Sequence, residues 1–184
     1  ARVRQLGALP YFVKPARAGS SVGVSKVKDW DEFGPAISTA LEQDNKVVIE
    51  RGLVGRELEV SVLTGRGDAP ARVSVAGEII MRGREFYDFE AKYRDDAAEL
   101  VIPAKLSDKD LGDMQRIARR AFDSLGCYGL ARVDFFLTSD GWFVNEINTM
   151  PGFTPVSMYP KLWVASGLAY KDLIDELIEL ALAR

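Results

Sequence analysis

Two rhythms of hydrophobic and polar positions run along the chain. Short apolar runs at Tyr11-Phe-Val13, Val47-Val-Ile49, Glu57 to Leu63, Arg72 to Val75 and Glu78 to Met81 predict strands, the last two separated at Gly77. Between the first two runs, Trp30, Phe33, Ile37, Ala40 and Leu41 recur at helical spacing behind Asp29-Trp-Asp-Glu32, which has the spacing of a capping box. A second helix is predicted from Ser107-Asp-Lys-Asp110, with Leu111, Met114, Ala118, Ala121, Phe122 and Leu125 on one face and Gly126 ending it. Leu130 to Leu137 and Trp142 to Ile147 read as a hairpin around Ser139-Asp-Gly141. A last helix carries Tyr170, Leu173, Ile174, Leu177, Ile178 and Ala181 on its apolar side. Residues 82 to 98 mix polar, charged and aromatic side chains and are too long for a simple turn. Strands and helices alternate without a regular βαβ rhythm, which favours an α+β fold with mixed or antiparallel sheets.

Composition narrows the chemistry. The 184 residues suffice for one domain or two small lobes around a real core. Twenty-four Lys and Arg against 27 Asp and Glu leave no basic footprint for nucleic acid. No stretch approaches the roughly 20 apolar residues that span a bilayer, and no cleavable signal opens the chain. A single cysteine, Cys127, excludes an intrachain disulfide and a Cys-cluster zinc site. The absence of histidine excludes Ser-His-Asp and Cys-His relays, zincin sites and an imidazole base. Chemistry must therefore run on carboxylates, Lys, Arg, Tyr, backbone dipoles and a hard metal ion. The opening Ala1-Arg-Val-Arg lacks an initiator Met and leads within ten residues into a strand, so a fragment is expected.

Four segments carry candidate chemistry. In the hairpin from Ala131 to Asn148, a three-residue loop with Gly141 left-handed pairs Thr138 with Trp142, Asp134 with Glu146 and Arg132 with Asn148. Period-two alternation then places those four polar residues on one face. A two-residue Asp-Gly turn would instead pair Asp134 with Ile147 and scatter the group. Two facing carboxylates repel, and a divalent cation such as Mg²⁺ would resolve the conflict; the alternative is a solvent-exposed face with solvated charges. The loop after Lys14 contains Gly19, Ser20, Ser21 and Gly23, whose backbone N–H groups can converge on an anion, although such loops are commonly only loops. Glu50, at the end of the Val47 run, could meet a purine edge and Glu57 ribose hydroxyls, against plain solvation of both. Phe86-Tyr-Asp-Phe-Glu-Ala-Lys-Tyr93 suits either a lid that excludes water and delivers Lys92, or a surface loop with its own aromatic cluster.

Taken in order, five stretches resemble the ATP-grasp enzymes, and within them the D-alanine–D-alanine ligases. They are Phe-Val-Lys14-Pro with Gly-Ser20-Ser21-Val-Gly; Val-Ile-Glu50-Arg-Gly-Leu53 with Glu57; Phe-Tyr-Asp-Phe-Glu-Ala-Lys92-Tyr93; Arg132-Val-Asp134; and Asn-Glu146-Ile-Asn148-Thr-Met-Pro-Gly152-Phe-Thr-Pro-Val-Ser157-Met158. The resemblance implies two α+β lobes with mostly antiparallel sheets gripping ATP. Residues 1–50 would form the later part of the central lobe, and 51–184 the C-terminal lobe with the metal and substrate site. It implies that Lys14 touches nucleotide phosphate, that Glu50, Arg51 and Leu53 line the adenine site, and that Glu57 holds the ribose. Asp134, Glu146 and Asn148 would hold two Mg²⁺ ions, with Mn²⁺ able to substitute. Arg132 and the Gly152 N–H would stabilise an oxyanion, while Ser157 and the Met158 backbone would bind the second substrate's carboxylate. Lys92 would reach the transferred phosphate, and Ser20 and Tyr93 would brace the first D-alanine.

The resemblance also has departures. Arg51 stands where the family usually has Lys, and Met158 where Leu is common. The Tyr-Asp-Phe-Glu-Ala-Lys-Tyr run argues for the dipeptide ligase over the D-alanine–D-lactate ligases. An N-terminal domain of the family is not matched, so weak or absent turnover is expected of this chain alone, and a homodimer of the whole protein. The implied setting is a cytoplasmic enzyme of peptidoglycan synthesis acting on D-alanine, with neither membrane nor nucleic acid as partner. Two alternatives stay open: another ATP-grasp carboxylate–amine or carboxylate–alcohol ligase, and a nucleotide-binding module that has lost catalysis.

Overall fold

The computed structural model describes residues 3–81 and 98–184. The chain divides into two compact units, Ala1–Val54 with Met81–Glu99, and Gly55–Ile80 with Leu100–Arg184.

In the first unit a three-stranded antiparallel sheet has the order β2-β1-β3, with β1 at Tyr11–Pro15, β2 at Ser25–Val27 and β3 at Val47–Arg51. Alternation on β1 buries Tyr11, Val13 and Pro15 and turns Phe12 and Lys14 to the other face. Helix α1, Phe33–Leu41, closes the buried face, where Ala36 and Ala40 meet Val13 and Val27, with Leu9, Phe33, Ile37, Val47 and Ile49 around them. The expected capping box is present, but the turn it caps, Trp30–Glu32, is a 3-10 turn that runs into α1. The Trp30 and Phe33 rings stack at 5.2 Å, and Tyr11 lies against both. Strand β2 escapes a pattern reading because Ser-Lys-Val offers no alternation to detect.

The second unit carries a six-stranded sheet of order β7-β6-β4-β8-β9, with β5 paired to β4. Its strands are β4 (Arg56–Leu63), β5 (Arg72–Val73), β6 (Gly77–Met81), β7 (Ala98–Val101), β8 (Leu130–Thr138) and β9 (Gly141–Asn148). Helix α2, Asp108–Ser124, starts at the Ser107 cap and stops before Gly126, whose φ of 62° reverses the chain. Its Met114, Ala118 and Phe122 pack on Leu58, Val60, Val62, Ala131, Val133 and Phe135, one face of β4 and β8. Helices α3, Met158–Ala165, and α4, Tyr170–Leu182, cover the end of the opposite face, where Leu63 meets Tyr159, Trp163, Leu173 and Leu180. The pattern reading missed α3, which is short and apolar but for Lys161, and β7, which lies at the end of the long polar connection. The architecture is α+β with antiparallel pairing wherever register is defined, as expected.

Candidate functional site

The face of the second sheet turned away from α2 carries the chemistry. On β4, period two sends Leu58, Val60 and Val62 into the core and leaves Glu57, Glu59 and Ser61 on the other side. Antiparallel register sets Glu59 beside Asp134 and Ser61 beside Arg132, while Asp134 faces Glu146 and Arg132 faces Asn148. Two adjacent rows result: Glu59, Asp134, Glu146, and next to it Ser61, Arg132, Asn148.

The hairpin reaches this register by a route the sequence reading did not foresee. Thr138 pairs with Gly141, not Trp142, so Ser139 and Asp140 form a two-residue turn, with Gly141 at a φ of 111°. Pairing then runs Leu137 to Trp142 and Phe135 to Val144, and shifts by one residue before Asp134. Asn145 is the extra residue of this bulge. Were Asn145 paired in a regular ladder, Glu146 would fall opposite Val133 and point into the core; with the bulge both Trp142 and Ile147 pack on the α2 core. The expected partners of Asp134 and Arg132 are thus found, although the expected turn is not.

Like charges side by side on neighbouring strands destabilise a sheet. Here Arg132 lies among them: Nε and Nη2 each donate to an Asp134 carboxylate oxygen at 2.7 Å, and Nε stands 3.1 Å from Glu59 Oε2. Glu59 and Asp134 are buried, 6% and 9% exposed. Burial opposes the charge of Arg132, but Asp134, with Glu59 and Glu146 adding to it, holds the guanidinium above its ordinary value. Among the described residues, the row sets the carboxylates of Glu59, Asp134 and Glu146 around the Arg132 guanidinium. Among the described residues no three His, Cys, Asp or Glu side chains group closely enough to hold a metal by themselves. The available donors are the carboxylates of Asp134 and Glu146 and the amide of Asn148, whose Oδ1 accepts from Met150 N–H at 3.2 Å. A partial set of hard oxygen donors fits Mg²⁺, which completes its octahedron with water and phosphate oxygens.

Close by in sequence, a tied loop delivers a helix N-terminus. Ser157 is the N-cap of α3, yet its side chain caps nothing. Its Oγ instead accepts from Thr154 N–H at 3.1 Å and lies 2.8 Å from Thr154 Oγ1, while Ser157 N–H donates to Thr154 O at 2.9 Å. A β-carbon on Gly152 would come within 3.0 Å of Ser157 Oγ, so the loop packs closely there. Phe153 is wedged between Tyr159 and Tyr170, and Tyr170 Oη donates to its carbonyl. Helix geometry gives the Met158 and Tyr159 N–H groups no intrahelical acceptor, which is the arrangement that receives a carboxylate or phosphate. Met158 itself is buried against Gly77.

In the first unit, β1–β3 register puts Lys14 opposite Val48 and Phe12 opposite Glu50, on the face away from α1. Lys14 Nζ and Glu50 Oε2 form an ion pair of 2.6 Å, so the two residues singled out on separate strands are brought together. Arg51 is exposed and Leu53 half-buried. Gly52 N–H donates to Pro10 O at 2.8 Å, and a β-carbon at Gly52 would meet that oxygen at 2.9 Å. In the loop after Lys14 the left-handed positions are Ser20 (φ 55°), Ser21 (φ 59°) and Gly23 (φ 74°). Two successive non-glycine residues in that region are costly, on the order of 1–2 kcal/mol each, and such backbone gathers at functional sites. Glu57 is half-buried on β4, while Lys92 and Tyr93 lie outside the described residues. Sequence reasoning missed Glu59. Its signal was present in Glu57-Leu-Glu59-Val-Ser61-Val, where every second residue of an otherwise apolar strand is polar.

A family model described as D-ala D-ala ligase C-terminus matches residues 1–179. A D-alanine--D-alanine ligase of Arthrobacter sp. (strain FB24) is 58% identical across 100% of this chain and 49% of its own length. One from Mycobacterium sp. (strain KMS) is 55% identical across 96% of this chain and 48% of its own. The chain thus spans about half the length of the curated relatives it matches. Among solved structures, the VanG D-Ala:D-Ser ligase from Enterococcus faecalis superposes with a TM-score of 0.84 at 35% identity, over 97% of this chain and 51% of that one. The D-alanine-D-alanine ligase from Coxiella burnetii gives 0.80 at 40% identity, over 95% of this chain and 45% of that one. With a family match over residues 1–179, relatives 55–58% identical across nearly the whole chain, and structural superposition at TM-scores of 0.80–0.84, this chain belongs to the D-Ala–D-Ala ligase C-terminal family and has the ATP-grasp fold.

Proposed function

We propose that the protein carrying this chain joins two D-alanine molecules at the expense of ATP, for peptidoglycan synthesis, and that this chain supplies its nucleotide, metal and second-substrate residues. The observation that carries the reading is the row Glu59, Asp134, Glu146 with Arg132 among its carboxylates, adjoining Asn148. The lobe assignment, 1–50 central and 51–184 C-terminal, belongs to the same proposal.

In this reading Lys14 exchanges its Glu50 partner for a nucleotide phosphate, while Glu50, Arg51 and Leu53 meet the adenine and Glu57 the ribose. Asp134, Glu146 and Asn148 hold Mg²⁺, whose contribution when bound is to neutralise charge on the transferring phosphoryl group. Ser20 and Tyr93 position the first D-alanine, whose carboxylate oxygen takes the γ-phosphoryl group from ATP to give an acyl phosphate and ADP, and Lys92 contacts that group. Ser157 and the first-turn N–H of Met158 anchor the carboxylate of the second D-alanine. Its amine attacks the acyl carbon, Arg132 and the Gly152 N–H hold the oxyanion that forms, and phosphate leaves as the peptide C–N bond closes. No step calls for histidine. Removing one oxyanion donor typically costs about 10²–10³ in kcat.

Phosphate release from Mg-ATP tests the reading, assayed on the protein that carries this chain with D-alanine alone, with D-alanine plus D-lactate or D-serine, and with no amino acid. Release that needs D-alanine alone, with D-Ala-D-Ala as product, is expected. Release only in the mixed arms would move the assignment to a depsipeptide or D-serine ligase. Silence in every arm would leave a nucleotide-binding module.

A further inference from the structure

We infer that Glu59 is a positioning residue for Arg132: it holds the guanidinium from β4 independently of Asp134, so that Arg132 stays aimed while Asp134 is engaged elsewhere. The inference rests on the proposed ligase reading and adds a residue that reading does not use.

Asp134 carries two demands. Both of its oxygens accept from Arg132, at 2.7 Å each, and it is also the carboxylate assigned to a cation. An oxygen turned to a cation is no longer fully available to a guanidinium, so Arg132 needs a second anchor. Three neighbours on the same face could provide one. Ser61, directly opposite Arg132, donates its hydroxyl to Tyr159 O at 3.0 Å and belongs to the α3 side. Asn148, on the other flank, accepts from Met150 N–H. Glu59 alone of these brings a carboxylate to Arg132 Nε, at 3.1 Å. Its Cα pairs across the strands with Asp134, and its side chain is 8% exposed, so little water competes for the interaction. A carboxylate this buried is costly unless paired with a cation. A Glu placed among Leu58, Val60 and Val62 on a core strand therefore has a physical reason to be there in Arg132.

The test is a double-mutant cycle in the whole protein. Glu59→Gln keeps the shape and removes the charge, and should lower kcat for dipeptide formation by about tenfold to a hundredfold, the size of effect that follows misaligning a reacting group. KM for Mg-ATP should stay unchanged. In an Arg132→Ala background the same substitution should cost less than about twofold, because its effect runs through Arg132. Full additivity of the two losses, or a kcat unchanged by Glu59→Gln, overturns the inference. Should Glu59→Gln fail to fold, Glu59→Asp, which keeps the charge on a shorter arm, enters the same cycle with the same two criteria. A readout independent of turnover is hydrogen exchange at Arg132 Nε–H in an Asp134→Ala background, since in the unmodified protein that hydrogen is donated to Asp134 Oδ1 at 2.7 Å, followed by NMR on the ¹⁵N-labelled protein. Exchange should quicken in the Glu59 variant, and an unchanged rate overturns the inference. Absence of D-alanine-dependent phosphate release in the unmodified protein would overturn the ligase reading instead, while the exchange rate still decides whether Glu59 holds Arg132.

Discussion

Replacing Arg132 by Ala removes the cation held between two buried carboxylates, Glu59 and Asp134, and the cost can be worked from the structure. The Arg132 side chain is only 16% exposed; its guanidinium makes two hydrogen bonds of 2.7 Å to Asp134 and stands 3.1 Å from Glu59. Its removal leaves those carboxylates side by side, with Glu146 beyond. Breaking a buried pair from one side costs about 3–5 kcal/mol, because an uncompensated charge remains. For a chain of this length about 2–4 °C accompany each kcal/mol, so a fall in Tm of about 6–20 °C is expected near neutral pH. The pH dependence follows from the signs. The pKa of Arg132 is raised on folding, so its contribution is complete below its unfolded value and is lost only in strong alkali. Thermal unfolding followed by far-UV circular dichroism near neutral pH reads the effect. A Tm within about 2 °C of the unmodified protein would refute the reasoning.

Three further outcomes are expected. Deleting Asn145, the extra residue of the bulge, brings Glu146 next to Val144 and leaves it opposite Asp134 in an unbroken ladder, so Mg²⁺-dependent nucleotide binding should persist; its loss would show that the bulge itself shapes the site. Asn145→Ala keeps the residue count and should stay within about 0.5 kcal/mol by denaturant titration. Asp29→Ala removes one half of the capping box at the start of α1 and should cost about 0.5–2 kcal/mol on the same titration. Arg17 donates to Asp44 and holds its carboxyl down at about 2, so the pair stabilises the fold above about pH 4 and loses that contribution as pH falls toward 2. Asp44→Asn should flatten this part of the acid limb, seen by comparing Tm across that range.

Long periodic elements were legible in the sequence because one face of each is buried. The apolar stripe of α2 and the alternation on β4 and β8 reappear as one core. Legibility fell where burial gives no period. Helix α3 is only eight residues long and apolar except at Lys161, with Met158, Tyr159, Leu162 and Trp163 all buried, so its helical repeat is hidden. The hairpin shows how a site can be read correctly from a wrong turn: the preference for Trp142 and Ile147 inside and Glu146 outside is met by a bulge at Asn145, not by a longer loop. Glu59 was passed over because a carboxylate in a core strand makes sense only beside Arg132, and that neighbour is set by strand pairing across the sheet. The adoption of left-handed backbone by Ser20 and Ser21, next to glycines that tolerate it better, was equally invisible in composition.

The central claim is that the Asp134–Glu146–Asn148 face is where Mg²⁺ and nucleotide meet the chain. Calorimetric titration of ADP into the protein that carries this chain tests it most directly, with and without Mg²⁺, for the unmodified form and Asp134→Ala. Binding strengthened by Mg²⁺ in the unmodified protein, with that gain lost in a folded Asp134→Ala variant, is the predicted result. An equal Mg²⁺ gain in both proteins would contradict it.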